Sequence, residues 1–276
     1  MGRLQQVLEK RRAQRQKILV AYLTGGLQVS INGKKYSTLD YASELIENGV
    51  DAIEIGIPFS DPVMDGPVIQ QASQMALELG ATPRTVMDEI IQINSQTGWL
   101  DNGDNSISTI VMTYFNIVHS YGIELFAKQL SDIGVAGSVV PDLPLAEARE
   151  WSQQSEAVGV DNILLAAPTC DDEQLGRICN ATRGFVYVVG IMGVTGVRSQ
   201  AVRSGVELAE RIQSQSDRVT LVGVGVSNEE QAKLQCTRAD GIIMGSAIIS
   251  KILNGSKPQE IGKFIESIRR AISGER

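Results

Sequence analysis

The amino-acid sequence predicts an α/β fold: a single (β/α)8 (TIM) barrel with an N-terminal helix that closes one end. Eight short apolar segments recur along the 276-residue chain, and each is followed by a stretch with helical periodicity. Eight buried strands that alternate with helices are typical of a barrel of parallel strands. No composition shift or linker divides the chain, so residues 1–276 are predicted to form one domain. A doubly wound open sheet is the alternative, because it uses the same βα units.

The predicted elements follow from the apolar runs and from the turn residues that bound them. The predicted strands are residues 18–23, 50–57, 107–113, 135–140, 162–167, 184–190, 219–225 and 239–245. The predicted helices are 2–17, 38–48, 68–79, 83–95, 123–133 and 146–158, one of about ten residues capped by Asp171, one from near Ser204, a short one capped by Ser227, one from Ser246, and 257–273. Two segments are predicted to be loops, a polar stretch up to Ser37 that contains the turn signal Asn32-Gly33, and residues 97–106.

Charge and hydropathy exclude several classes of function. The net charge of −7 argues against nucleic acid or an anionic membrane as the main partner. Residues 2–17 carry six basic residues and one acid, which leaves a basic nucleic-acid arm or a transit peptide as alternatives to a helix that closes the barrel. No stretch approaches the roughly 18 apolar residues of a membrane span, and the N-terminus lacks the apolar core of a secretory signal. A cytoplasmic location is therefore predicted.

Few residues are candidates for holding a metal or a redox group. Cys170, Cys179 and Cys236 are too few and too widely spaced for a zinc cluster or a disulfide framework, and are predicted to be free thiols. His119, the only histidine, is interpreted as structural or surface-exposed, which leaves no histidine-based triad and no two-histidine metal site. No GxGxxG follows the first strand, so a dinucleotide site is unsupported. The sequence predicts no metal and no cofactor in this chain.

Residues 50–67, VDAIEIGIPFSDPVMDGP, contain the strongest candidates for catalysis. Glu54 lies in an apolar strand, on the face that it shares with Ala52 and Gly56, and burying a lone carboxylate there would cost on the order of several kcal/mol. A structural ion pair is the alternative interpretation. Prolines then end the strand, and a polar loop carries Asp65 eleven residues beyond Glu54. A turn in this loop could bring both carboxyl groups to one pocket.

Further polar residues fall at the ends of predicted strands, where barrels of this kind carry their chemistry. They are Thr24, Tyr114, Asn116, Asp142 and Thr195. Together with the two acids, they favour acid–base chemistry on a small substrate.

Glycine–serine sequences end the seventh and eighth predicted strands, Gly225 before Ser227 and Gly245 before Ser246. Glycine lets the backbone approach an anion closely, and helix N-termini offer free N–H groups and a partial positive charge. Loops seven and eight of a barrel commonly form a phosphate site in this way. Neither helix start carries a lysine, so the backbone would hold most of the anion, and loop six could add donors from two more glycines, Gly193 and Gly196.

These residues resemble the α subunit family of tryptophan synthase over nearly the whole chain. The segment EIGIPFSDPVMDGPVIQ, 54–70, is close to that family's most characteristic motif. The other similar motifs follow in the family's order: IVMTYFN (110–116), YGIELF (121–126), VVPDLP (139–144), GVTG (193–196) and ADGIIMGSA (239–247). Generic phosphate-binding barrels do not share the first motif.

The resemblance implies a retro-aldol reaction, the cleavage of indole-3-glycerol phosphate to indole and glyceraldehyde 3-phosphate. Glu54 matches the family's catalytic glutamate, which protonates indole C3 and assists loss of the glycerol hydroxyl proton; its apolar strand is compatible with the raised pKa that this role needs. Asp65 matches the second catalytic acid, which accepts the indole N–H and stabilises positive charge on the ring. Tyr22, Met112, Val139 and Tyr187 match the indole pocket; Gly196, Gly225, Gly245 and Ser246 match the phosphate site; Thr195 matches a residue of the mobile loop that closes over the site.

The resemblance also implies a partner, the tryptophan synthase β subunit, which carries pyridoxal phosphate and joins the α subunit in an αββα assembly. The sequence departs from the family pattern at the barrel mouth. The loop after the first strand is about five residues longer, and the differing residues are Val63-Met64 before the catalytic aspartate and Gly190-Ile191-Met192 in loop six. These departures leave two alternatives open, a lyase that releases free indole without a β subunit, and a barrel without activity that regulates a β subunit.

Overall fold

A computed structural model describes residues 2–96, 107–190, 198–223 and 225–274, with the backbone alone for 198–203. The strands are β1 (Ile18–Thr24), β2 (Gln28–Ile31), β3 (Lys34–Ser37), β4 (Ala52–Gly56), β5 (Ser108–Met112), β6 (Gly137–Val139), β7 (Asp161–Ala166), β8 (Val186–Val188), β9 (Thr220–Val222) and β10 (Gly241–Met244). Strands β1 and β4 to β10 close into a parallel barrel in which each strand pairs with the next along the chain and β10 returns to β1. The predicted fold class is confirmed.

The helices alternate with the barrel strands and cover them on the outside. They are α1 (Arg3–Ala13), α2 (Thr38–Glu47), α3 (Pro67–Glu78), α4 (Pro83–Gln96), α5 (Phe115–Tyr121), α6 (Ile123–Asp132), α7 (Arg149–Ala157), α8 (Asp172–Ala181), α9 (Arg198–Gln215), α10 (Glu229–Gln235), α11 (Ser246–Leu253) and α12 (Pro258–Ser273). No helix of the described residues is long and apolar enough to cross a membrane.

Helix α1 closes the N-terminal end of the barrel, as predicted. Its Leu4 and Leu8 are completely buried and belong to the cluster of apolar side chains that fills the barrel interior. The backbone N–H of Gln5, which has no partner inside a first helical turn, donates to Asp161 of β7 over 2.9 Å. The basic helix is thus used for packing at the closed end of the barrel, remote from the mouth.

Strand β4 shows the predicted alternation of faces. Ile53 and Ile55 belong to the apolar layer between the barrel and its helices, whereas Ala52 belongs to the cluster inside the barrel. Glu54 shares the inward face of Ala52, and it lies beside Tyr22 of β1 in the strand register. The barrel therefore points the Glu54 carboxyl group into its own interior.

Several sequence predictions of local structure are corrected. The stretch expected to be a polar loop before Ser37 folds as the hairpin of β2 and β3, with Asn32 and Gly33 at φ 52° and 80° in its turn. Ser227 does not cap α10; the side chain of Asn228 accepts from the N–H of Gln231 over 2.9 Å. Helix α9 begins at Arg198, before the predicted start near Ser204, and α5 was not predicted. The predicted loop 97–106 lies outside the described residues.

Candidate active site

A cavity of about 470 Å³ opens at the end of the barrel where the strands finish. Its walls come from strands β1, β4 to β8 and β10, from the loop that follows β4 and from the loop between β9 and α10. The residues that line it include Tyr22, Glu54, Asp65, Met112, Val139, Tyr187, Gly225, Gly245 and Ser246. The cavity has the size and the mixed apolar and polar lining of a small-molecule site.

Glu54 is completely buried in the wall of this cavity. Neither of its carboxyl oxygens has a hydrogen-bond partner within the described residues. Burial, and secondarily the charge of Asp65, raises the pKa of Glu54 to about 8. The structural ion pair considered from the sequence is not formed within the described residues. With a pKa of about 8, this carboxyl group is protonated at neutral pH and has a proton to give.

Asp65 reaches the same cavity from the loop that follows β4. A turn in which its N–H donates to the Pro62 carbonyl over 3.0 Å brings it back over the barrel. The Tyr114 hydroxyl donates to Asp65 Oδ2 over 3.1 Å and accepts from the Met64 N–H at the same distance. Burial raises the pKa of Asp65 to about 6, against the lowering effect of the Tyr114 hydrogen bond.

Tyr114 is a site residue to which sequence reasoning gave no role beyond its place at a strand end. Its ring stacks on Phe59 with 5.0 Å between ring centroids, and its hydroxyl fixes both the backbone and the carboxyl group of the Asp65 loop. What could have identified Tyr114 as a site residue is its position two residues after β5, the strand that pairs with β4.

All four residues predicted for the indole pocket line the cavity: Tyr22, Met112, Val139 and Tyr187. The two phenol rings pass directly over glycines. A Cβ at Gly56 would lie 2.1 Å from the Tyr22 hydroxyl oxygen, and one at Gly223 would lie 2.4 Å from the Tyr187 ring. Burial raises the pKa of both phenols, so both remain protonated.

Further apolar walls come from inward positions that the sequence reasoning did not name: Ile69, Leu165, Val189 and Ile243. The alternation of faces along β7 and β10 could have identified two of them. With these residues the lining of the pocket is largely apolar, which suits an aromatic ring.

The predicted phosphate residues that the structure describes also meet at this cavity. Gly225, Gly245 and Ser246 line it, and α11 begins at Ser246, so the free N–H groups of its first turn lie at the wall. No lysine or arginine lines the cavity in the described part of the chain. Gly196, Gly193 and Thr195 lie outside the described residues.

Other predicted strand-end residues are near the mouth but do not line the cavity. Thr24 is buried, and Asp142 accepts from the Phe115 N–H over 2.9 Å and so fixes the start of α5. Asn116 and His119 lie on α5, where the His119 ring contacts that of Phe115. All three cysteines are unbridged, and no group of three potential metal ligands occurs among the described residues.

Two carboxyl groups of raised pKa lie together at the mouth of this (β/α)8 barrel. This arrangement indicates an enzyme that works by acid–base catalysis. The sequence profile described as tryptophan synthase alpha chain matches residues 8–271. The chain belongs to the tryptophan synthase alpha chain family.

Individual relatives agree with this assignment. The tryptophan synthase alpha chain of Thermobifida fusca is 36% identical over 254 residues, 91% of this chain and 89% of the relative. That of Streptomyces avermitilis is 35% identical over 99% of this chain and 92% of its own length. Among solved structures, tryptophan synthase from Mycobacterium tuberculosis superposes with a TM-score of 0.84 at 34% identity, covering 99% of this chain and 98% of that one. The alpha subunit from Legionella pneumophila str. Paris gives a TM-score of 0.83 at 30% identity, with 99% of each chain covered.

Proposed function

We propose that Glu54 and Asp65 catalyse the retro-aldol cleavage of indole-3-glycerol phosphate to indole and glyceraldehyde 3-phosphate. The chain is a carbon–carbon lyase of tryptophan biosynthesis, the alpha subunit of tryptophan synthase. The observation that carries the proposed roles is the buried Glu54 carboxyl group, which lacks a hydrogen-bond partner in the described residues and faces the same cavity as Asp65.

Glu54 acts first as the acid. Its proton goes to indole C3, which turns the ring into a cation with its charge on the nitrogen, and the Asp65 carboxylate stabilises that cation by accepting the ring N–H. The Glu54 carboxylate then removes the proton of the hydroxyl next to the ring. The bond between C3 and the glycerol carbon breaks, its electron pair returns to the ring, and the aldehyde forms. The proton that Glu54 gave stays on C3 of the indole product, and Glu54 ends protonated again with the proton of that hydroxyl.

The remaining cavity residues hold the two ends of the substrate. Tyr22, Met112, Val139 and Tyr187 surround the indole ring, and the backbone of Gly225, Gly245 and Ser246 binds the phosphate at the start of α11. We propose that Gly196 adds a backbone donor to the phosphate and that Thr195 belongs to the loop that closes the cavity. These attachments at both ends fix the C3 atom against Glu54.

The pKa shifts predict a bell-shaped dependence of kcat/KM on pH. The productive form has Glu54 protonated and Asp65 ionised, and with pKa values of about 8 and about 6 this form dominates between those two pH values. Because the two groups interact, the limbs report the pair. Indole release followed by absorbance from pH 5 to pH 10 is expected to fall on both sides of a maximum near pH 7. A kcat/KM that kept rising above pH 8 would contradict the protonated Glu54.

We propose that the partner is a tryptophan synthase β subunit, which would supply the pyridoxal phosphate, and that this chain itself uses no cofactor. At the mouth, Val63 is 70% exposed and Met64 is 37% exposed, which gives the loop beside Asp65 an apolar surface for docking. The family assignment does not favour the stand-alone lyase. Addition of a β subunit is expected to raise the rate of indole formation at saturating substrate severalfold. An unchanged rate would favour the stand-alone enzyme.

A further inference from the structure

The Tyr22 side chain lies between the two ends of the candidate site. Strand β1 pairs with β4 on one side, with Tyr22 beside Glu54, and with β10 on the other, with Ala21 beside Met244. A Cβ at Gly245 would meet the Tyr22 side chain at 3.3 to 3.6 Å, so the ring lies against the strand end assigned to phosphate binding. The ring therefore separates the proton donor from the phosphate-binding backbone.

The Tyr22 hydroxyl group lies nearer to the mouth than Glu54. It passes over Gly56, where a Cβ would be only 2.1 Å from its oxygen, and Gly56 is the next inward residue after Glu54 on β4. The hydroxyl does not bond to Glu54, because neither carboxyl oxygen has a partner in the part of the chain that the structure describes. Because Gly56 has no side chain, it leaves room for the Tyr22 hydroxyl at the inward position that follows Glu54 on β4.

The substrate must pass this point. If C3 of the indole lies at Glu54 and the phosphate lies at Gly245 and Ser246, the glycerol carbons that join them cross the side of Tyr22. The glycerol unit carries two hydroxyl groups, and a phenol can both donate to and accept from a hydroxyl. A phenylalanine would line an indole pocket equally well, so the ring alone does not account for the hydroxyl group. The Thr24 side chain approaches the Tyr22 hydroxyl and opposes the rise of its pKa that burial causes, but Thr24 Oγ1 has no hydrogen-bond partner within the described residues, so the phenol remains available to a ligand.

We infer that the Tyr22 hydroxyl binds the glycerol hydroxyls of the substrate and so determines its preference for a hydroxylated chain between ring and phosphate. This inference rests on the proposed function, because that function supplies the glycerol unit. Tyr22 thereby acts at two places: its ring edge lines the indole pocket, and its oxygen recognises the linker.

The test compares two ligands that differ only in the linker hydroxyls. Indole-3-glycerol phosphate and 3-(indol-3-yl)propyl phosphate are titrated calorimetrically into Glu54→Gln and into Glu54→Gln with Tyr22→Phe, since the glutamine prevents turnover. Tyr22→Phe removes one hydrogen bond and leaves a substrate hydroxyl unpaired, so the affinity for indole-3-glycerol phosphate is expected to fall by about 3- to 10-fold. Binding of the propyl phosphate is expected to change by less than about 2-fold, which also shows that the variant site is intact.

Tyr41→Phe is the matched control. Its hydroxyl donates to the Ser256 carbonyl over 2.8 Å, away from the cavity, so its loss is expected to leave the ratio of the two affinities unchanged. If Tyr22→Phe changed the affinities of both ligands by the same factor, or changed neither affinity, the inference would be overturned and the proposed function would still stand. Failure of the Glu54→Gln protein to bind either ligand would instead refute the proposed function, and the inference with it.

Discussion

Glu54→Gln is expected to abolish cleavage of indole-3-glycerol phosphate while the substrate still binds. Glutamine keeps the shape of the side chain but has no proton to give to indole C3 at neutral pH. General acid–base catalysis by one positioned group contributes about 10²- to 10⁴-fold, and Glu54 here serves as both acid and base, so kcat is expected to fall toward the upper end of that range. The measurement is indole release at saturating substrate, together with calorimetric affinity for indole-3-glycerol phosphate.

The loss of activity is not expected to come from unfolding. The folded protein raises the pKa of Glu54 to about 8 from the ordinary value of 4.5, so the folded state holds this proton more tightly than the unfolded state does. Stability of the wild type therefore falls as the pH rises from about 4.5 to about 8, by on the order of a few kcal/mol. Glutamine removes that penalty, and above pH 8 the variant is expected to melt at a higher temperature than the wild type.

Asp161→Asn is the matched control for Glu54→Gln. Asp161 is a second buried carboxyl group, but it lies at the opposite end of the barrel, where it accepts from the Gln5 N–H. Its amide variant can still accept that bond, and its turnover is expected to stay close to that of the wild type. Near-wild-type turnover by Glu54→Gln would refute the role given to this residue.

Gly245→Val is expected to weaken the binding of phosphorylated ligands strongly. A Cβ at this position would make only ordinary to slightly tight contact with Tyr22, so the fold can accommodate it, but the two added methyl groups would occupy the cavity beside the first turn of α11. Loss of one charge-assisted hydrogen bond, worth about 1.5 to 3 kcal/mol, corresponds to a loss of affinity of about 10- to 150-fold. The affinity of 3-(indol-3-yl)propyl phosphate, measured by calorimetry, is the readout.

A second ligand and a second glycine make this result specific. Indole lacks the phosphate, so its affinity is expected to change far less in Gly245→Val than that of the phosphate ester. Gly176→Val on α8, where a Cβ would make one ordinary contact, 3.8 Å from the Gln215 Oε1, is expected to leave both affinities unchanged. Unchanged affinity of Gly245→Val for the phosphate ester would count against a phosphate site at this strand end.

The barrel and the position of its two acids were predictable because they depend on local patterns. Strand β4 is an apolar run with one acid, and the period of two along a strand places Glu54 inside the barrel once its neighbours are known to pack outward. The prolines that follow β4 predicted the end of that strand to within about one residue of its observed end at Gly56. A pKa of about 8 for Glu54 follows from the same apolar setting.

Other features were not predictable because they depend on contacts between distant segments or on competing local signals. The hairpin of β2 and β3 is short and largely polar: Val29 and Ile31 alternate with polar residues in β2, but two apolar positions are too few to distinguish a strand from a loop, and the Asn32-Gly33 turn was the clearer signal. The bond from Tyr114 to Asp65 joins residues 49 positions apart. At α10, two adjacent residues can both cap a helix, and the structure uses Asn228 because Ser227 instead bonds to the Gln231 side chain.

The most direct measurement of the central claim is indole release by the purified chain supplied with indole-3-glycerol phosphate alone. The account predicts that indole and glyceraldehyde 3-phosphate appear in equal amounts, at a rate that is greatest near pH 7 and is lost in Glu54→Gln. Absence of indole at every pH, with the substrate bound, would contradict a lyase built on these two carboxyl groups and would leave a barrel that only regulates a partner.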